Sequence, residues 1–292
     1  MAILAAWYLV HNTLVNLEER RIASGFAFLG REAGFEIGES AFLRYGAADS
    51  YLRALLVGLT NTLQVALIGI VLATLVGTAV GLFRLSKNLL LRTLAGVYVE
   101  FIRNSPLLVQ LFFWYTVIAE VLPAPREALQ PLPGVFLTNR GIFFPAPGSV
   151  PVLEGFNFSG GMVLTPEFAA LLIGLSIYTA AFIAEIVRAG VLAINRGQWE
   201  AAHAVGLTRG QALRVIVPPL ASQYLNLTKN SSLAVAIGYP DLVSIANTTI
   251  NQTGQAIEGV AIIMAVYLTV SLSISAFMNW YNRSVALKGT RR

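Results

Sequence analysis

Residues 200–219 read EAAHAVGLTRGQALRVIVPP, a polar, turn-bearing stretch set between strongly apolar runs. From Gln198 to Val205 the pattern is helical. Trp199, Ala202 and Val205 fall on one face, and Glu200 lies in the first turn, where the helix dipole favours an acid. Gly206 suits a helix C-terminus. Thr208 and Gln211 match a capping box that starts a second helix near Arg209. Pro218–Pro219 ends or kinks that helix. The expectation is a short helix, a glycine turn and a second helix leading into apolar sequence. Such an elbow serves either as a handle for a partner or as a plain connection.

The chain around the elbow has the composition of a membrane protein. Of its 292 residues, 56% are hydrophobic and 12% charged, with a mean hydropathy of +0.68; a soluble domain carries about 25% charged residues. The formal charge is +5, but there is no Lys/Arg-rich run and the bases sit mainly between apolar segments. That placement fits the positive-inside rule better than nucleic-acid binding. Cysteine is absent, which removes disulfides and Cys-based metal sites. No HExxH, GxSxG or P-loop pattern occurs. Zincin hydrolysis, nucleophile-elbow chemistry and P-loop ATP binding therefore have no residues to run on. Any P-loop ATPase chemistry would have to come from another chain.

Five runs read as spans. Residues 54–83 carry no charge over thirty positions, enough for one long or tilted crossing. Gly69, Ala73, Gly77 and Gly81 recur there every four residues, a small-residue stripe that serves packing within one bundle or a dimer contact. Residues 98–122, YVEFIRNSPLLVQLFFWYTVIAEVL, break near Asn104–Pro106, because proline removes a donor and disfavours helix just before it. The span proper runs from Leu107 to Leu122, after a short lead-in where Glu100 and Arg103 can pair at i, i+3. The other spans are 167–194, 218–239 (interrupted at Lys229–Ser232) and 259–282, which closes on an interfacial Trp280–Tyr281 pair. Residues 247–258 read as a polar external turn. Residues 123–166 hold eight of the twelve prolines, which excludes a regular helix and marks a long external excursion. The run 2–10, AILAAWYLV, is too short to cross. It reads as a membrane helix shortened upstream, with an interfacial helix or a signal peptide as the alternatives. Residues 11–53 form a charge-balanced connection outside the membrane.

Placing the loop with Arg84, Lys87 and Arg92 inside puts 123–166 and 240–258 outside, and 195–217 and the C-terminus inside. The inside segments then also hold Arg196, Arg209, Arg214, Arg283, Lys288, Arg291 and Arg292, against Arg126 and Arg140 in the two outside ones. The elbow is cytoplasmic on this reading. The chain divides into an N-terminal segment (1–53), a transmembrane domain (54–285) that contains the elbow at 197–219, and a tail (286–292).

Glu200-Ala201-Ala202, Gly206, Ile216 and Pro219 match the EAA motif (EAA-x3-G-x9-I-x-x-P) of permease subunits of ATP-binding-cassette importers. Pro218 departs from the leucine usual before the last proline and leaves the register intact. GLTNTLQVAL (58–67), YVEFIRNSPLLVQLFFWY (98–115), YTAAFIAEIVRAGV (178–191) and GQWEAAHAVGL (197–207) resemble the polar amino-acid subfamily, which serves histidine, glutamate, glutamine, arginine and opines. The likeness covers residues 54–285. The segments before 54 and at 123–166 resemble the larger permeases of broad-specificity L-amino-acid importers.

The resemblance implies an all-α membrane protein of the type I importer-permease (MetI-like) fold, with five core transmembrane helices and a partial N-terminal one. It implies a multi-pass place in a bacterial inner membrane, among lipid, with the C-terminus cytoplasmic. No cofactor sits on this chain; ATP and magnesium belong to a cytoplasmic ATPase homodimer. The other implied partners are a second permease, a homologue rather than a copy, and an external or periplasmic binding protein that delivers a polar L-amino acid. Trp199, Glu200, Ala201, Ala202 and Gly206 stand at the ATPase contact.

Ionisable groups inside a membrane are costly and mark functional candidates. Glu185 meets a substrate ammonium or pairs with Arg188 at i, i+3. Arg188 pairs or snorkels. Lys229, beside Asn230 and Ser231, attracts a carboxylate or ties two helices. Arg103 and Asn104 stand at the edge of a cavity. The rivals are a self-sufficient ion-coupled secondary amino-acid transporter, for which internal repeats are common and none is convincing here, and a membrane enzyme, for which no nucleophile–base or metal constellation is present.

Overall fold

The computed structural model describes residues 24–40, 42–193 and 210–285, with isolated positions before residue 24. The elbow residues Trp199, Glu200, Ala201, Ala202 and Gly206 lie outside the described residues, as does most of the 2–10 run. The helices are α1 (Tyr51–Phe83), α2 (Leu89–Asn104), α3 (Leu107–Thr116), α4 (Pro166–Leu192), α5 (Gly210–Asn230), α6 (Leu242–Thr253) and α7 (Ala256–Val285). Among the described residues, α1, α4 and α7 are each long and apolar enough to cross a membrane, and α5 and α6 meet that length and composition only as a bent pair. Helix α3 is a shorter apolar helix that continues through a π turn at Val117–Val121. The chain forms two compact units, Met1–Thr62 with Pro240–Thr269, and Leu63–Tyr239 with Val270–Arg292.

In the larger unit α4 is the axis. Its apolar window is 67% buried, against 33% for that of α1, and Phe168, Leu171, Leu175 and Ile183 are enclosed within the core. The stripe on α1 explains part of this. A Cβ at Gly77 would lie 2.8 Å from the Ala180 carbonyl, and one at Gly81 would lie 2.8 Å from that of Ala184. Gly69 faces Leu227 of α5, and Ala73 is buried. The small residues therefore serve packing inside this bundle, where backbones approach closely.

The proline break between α2 and α3 is repaired by a side chain. Ser105 is extended and Pro106 precedes α3. The buried Gln110 donates through Nε2 to the Ile102 carbonyl at 3.0 Å and to Ser105 Oγ at 2.8 Å, satisfying groups that the ended helix leaves over. The lead-in segment is a full helix, with Asn88 capping it by accepting from the N–H groups of Leu90 and Leu91. The expected Glu100–Arg103 ion pair is absent among the described residues. The Arg103 guanidinium lies over the Phe182 ring instead, 5.2 Å from its centroid. Pro218–Pro219 does not end α5, which runs through both with Ile216 and Val217 buried just before them.

The excursion is more ordered than its prolines suggest. It forms β1 (Leu129–Leu132), β2 (Val135–Thr138), β3 (Gly141–Phe144), β4 (Val152–Glu154), β5 (Asn157–Ser159) and β6 (Met162–Leu164). Strands β1-β2-β3-β6 make an antiparallel sheet and β4-β5 a hairpin. Phe158 of the hairpin stacks on Phe136 at 4.3 Å. The helical bundle thus carries a β insert, and seven of its eight prolines stand outside strands, where a missing donor costs no ladder bond.

In the smaller unit, residues 24–40 and 42–50 fold onto helix. Phe28, Ala33 and Ile37 join Tyr51, Ala54, Val57, Leu242, Ile245 and Ala246 in one apolar cluster. The Gly25 N–H donates to Glu258 at 2.6 Å, and Gln255 Nε2 donates to the Gly25 carbonyl at 2.9 Å. Residues 247–253, expected as the start of a polar turn, are instead the end of α6, and 256–258 begin α7. Asp241 caps α6 by accepting from the Ser244 N–H at 2.8 Å, and Gly254, in the left-handed region, stops it.

The GLTNT stretch at 58–62 is the socket for that helix start. A Cβ at Gly58 would sit 2.9 Å from Leu242 Cα. Asn61 Nδ2 donates to the carbonyls of Glu39 and Pro240, both at 2.9 Å. Thr62 Oγ1 accepts from the buried Leu242 N–H at 3.1 Å. Thr62→Val orphans that N–H and is expected to cost about 1–3 kcal/mol, whereas Thr62→Ser is near neutral. Thermal melting of the detergent-purified protein checks this; equal melting of the two variants would contradict it.

Candidate functional site

The sequence-level candidates fall into separate places. Glu185, two turns before the end of α4, sits between two guanidinium groups. Its carboxylate accepts from Arg84, which follows α1, and from Arg188 at 2.6 Å (Nη2) and 3.2 Å (Nε). All three side chains are partly buried, with 16% of Arg84, 27% of Glu185 and 32% of Arg188 exposed. Of the two readings open for Glu185, the pairing with Arg188 is present, and Arg84 extends it across helices. Arg84 was legible only as a loop base. The clue to its position is the stripe itself, since it follows Gly77 and Gly81 on the same face one turn later.

Lys229, Asn230 and Ser231 stand at the far end of α5. Lys229 is exposed and forms no ion pair among the described residues. Ser231 is buried and donates to the Thr228 carbonyl at 2.7 Å. A Cβ at Gly69 would touch both Leu227 of α5 and Leu172 of α4, so Lys229 lies near the level of Leu172. Glu185 is thirteen residues further along α4, about 20 Å at the helical rise. The structure does not bring Glu185 and Lys229 into one pocket. Arg103 and Asn104, both exposed at the end of α2, form a third place, where Arg103 lies over Phe182 of α4.

Helix α4 hands over at Ala193, whose N–H donates to the Ala189 carbonyl at 2.9 Å. Helix α5 begins at Gly210. The two helices meet where Ile216 fills the space beside Gly190, so closely that no Cβ fits there. Among the described residues no group of His, Asp and Glu could hold a metal ion. The arrangement suits conformational work: tightly apposed helices, an ion pair that ties the end of α1 to α4, and a polar segment joining α4 to α5.

Comparison with known proteins agrees with that picture. Residues 67–287 match the family described as binding-protein-dependent transport system inner membrane component. A putative amino-acid ABC transporter permease protein of Escherichia coli K12, YhdX, is 45% identical over 96% of this chain and 90% of its own length. The general L-amino acid transport system permease protein AapQ of Rhizobium johnstonii is 43% identical over 96% of this chain and 88% of its own. Among solved structures, an amino acid ABC transporter crystallised with histidines superposes with a TM-score of 0.60 at 26% identity, covering 80% of this chain and 95% of that one. The methionine transporter MetNI, at 17% identity and a TM-score of 0.57, covers 80% of this chain and 97% of its own and shares the fold.

Proposed function

The chain belongs to the family of binding-protein-dependent transport system inner membrane components, and from that premise we propose that it is one permease half of an importer for polar L-amino acids. It is the membrane subunit of an ATP-binding-cassette importer, not the ATPase. The observation that carries the amino-acid reading is near-full-length similarity to amino-acid permeases. The finer assignments are ours. A cytoplasmic ATPase homodimer binds ATP and magnesium, a homologous permease completes the pathway, and an external binding protein delivers the substrate. The C-terminus and the 197–219 elbow are cytoplasmic, by the distribution of Arg and Lys. Glu200, Ala201, Ala202 and Gly206, by their place in the EAA motif, and Trp199 just before it form the docking contact with the ATPase.

For the substrate path we assign Lys229, Asn230 and Ser231, with Arg103 and Asn104 at its edge. Lys229 is a free cation among the described residues and suits a carboxylate. Glu185 is already engaged by two arginines, which favours a structural role over contact with a substrate ammonium. Purification of the chain in mild detergent from its own membranes tests the assembly. The expected outcome is co-purification of an ATPase and a second permease, with uptake in proteoliposomes that requires ATP and a binding protein. Uptake by the isolated chain on an ion gradient alone would overturn the reading in favour of a secondary transporter.

A further inference from the structure

Three helices converge where α4 ends. On one side, α1 lies against α4 through Gly77 and Gly81, so close that side chains there would strike Ile183, the Ala180 and Ala184 carbonyls and Val187. On another, Ile216 of α5 fills the space beside Gly190. Helix α2 adds Val99, which packs with Ala181 and Ala184. Within this packing sits the Arg84–Glu185 pair. Among the described residues it is the one ion pair between groups distant in sequence, tying the turn that follows α1 to α4, the others being local in sequence.

Connectivity gives that pair a mechanical consequence. The segment 194–209 joins α4 directly to α5, so any displacement of the elbow enters those two helices through the backbone. Helix α1 has no such link and receives the displacement through side-chain contacts, with α5 at Gly69 and Thr74 and, nearest the end of α4, with α4 at Gly77 and Gly81. Glycine-to-backbone packing resists compression, because atoms already in contact cannot approach further. It resists sliding and separation weakly, because dispersion per atom pair is small. An ion pair in a partly dehydrated place does the opposite: its attraction is strong and acts against separation. Packing transmits a push between α4 and α1, and the Arg84–Glu185 pair transmits a pull.

We propose that Arg84 and Glu185 are positioning residues that form a clasp between α1 and α4, carrying the elbow's displacement to α1, with Arg188 holding the Glu185 carboxylate toward Arg84. The proposal rests on the reading of the chain as a permease driven through residues 197–219. Arg188 is suited to its part because it is three residues from Glu185 on the same helix and donates through two nitrogens. The cluster has one carboxylate between two guanidinium groups, so exchanging the charges at 84 and 185 preserves its composition.

The test uses the whole assembly in proteoliposomes with its ATPase and binding protein, and reads amino-acid uptake per ATP hydrolysed beside the melting temperature. The wild type is measured first; an absence of binding-protein-dependent uptake there refutes the permease reading and not the clasp. Arg84→Ala is expected to assemble and hydrolyse ATP while uptake per ATP falls about tenfold, within the usual range of coupling energies. Arg84→Glu is expected to be at least as poor, and the double exchange Arg84→Glu with Glu185→Arg to return to within about threefold of wild type. A wild-type ratio in Arg84→Ala overturns the proposal, as does a double exchange that assembles without recovering the ratio. A purely structural pair would lower the melting temperature and leave that ratio unchanged. If Arg84→Ala fails to assemble, Arg84→Lys and the double exchange decide by the same ratio, and its failure to recover in both overturns the clasp.

Discussion

Gly206→Asp is expected to leave the chain in the membrane at its normal level and to reduce amino-acid uptake to about one hundredth or less, the upper range of what a broken coupling can do. The reasoning begins from spacing. Gly206 stands four residues after Ala202 and two before Thr208, where the first predicted helix of the elbow ends and the capping box of the second begins. A glycine at that point supplies a backbone conformation that costs other residues about 1–2 kcal/mol. Aspartate adds a negative charge at the negative end of the first helix dipole, which is unfavourable. Both effects act on the shape of the elbow. Neither acts on the apolar runs that direct insertion, because the nearest of them are α4, ending at Leu192, and the body of α5. Quantitative immunoblotting of membrane fractions beside radiolabelled amino-acid uptake separates the two outcomes. Uptake at the wild-type rate from an inserted variant would remove the elbow from the coupling path.

Gly206→Ala is the companion. It keeps the strain and omits the charge, and an intermediate loss is expected. Equal and complete loss in both variants would assign the effect to backbone conformation alone.

How far the sequence carried the reading varies with the range of the interaction. The uncharged run at 54–83, the break at Pro106 and the span at 167–194 are local patterns, and each appears in the fold within a few residues of its expected bounds. The small-residue stripe was legible as a contact surface but not as to what it contacts, because spacing along one helix names no partner. Glu185 shows the same limit. Its neighbour Arg188 is visible at i, i+3, whereas Arg84 is 101 residues away and meets it only through tertiary packing. The β insert and α6 were missed for different reasons. The strands of the insert are three or four residues long, too short for alternation to register among prolines. Helix α6 hides behind polar residues such as Asn247, Thr248 and Asn251, yet the Asp241 cap and Gly254 stop were both present in the chain. The GLTNT stretch looked like a family signature, and its physical role as a socket for that cap needed coordinates.

Gly81→Val is expected to be severely damaging, and Gly96→Val supplies the control. Both glycines lie inside helices and lose the same backbone freedom on folding, so replacement by a β-branched residue changes helix propensity similarly in each. What differs is the space. A Cβ at Gly96 meets nothing within 4 Å, while one at Gly81 lies 2.8 Å from the Ala184 carbonyl and 2.9 Å from Val187 Cβ. The first of those is backbone, which cannot rotate away, so α1 and α4 must separate. Separation strips dispersion contacts along the interface and pulls Arg84 from Glu185, leaving a carboxylate and a guanidinium without each other in a partly buried place. Overpacking costs about 1–3 kcal/mol, and breaking the pair adds to it, together a large share of the 5–15 kcal/mol that holds a typical fold. The expected result is a steep drop in the amount of folded protein for Gly81→Val, read by size-exclusion profile and melting temperature in detergent, with Gly96→Val close to wild type. Comparable behaviour of the two variants would mean that α1 and α4 do not approach as closely as the glycine stripe requires.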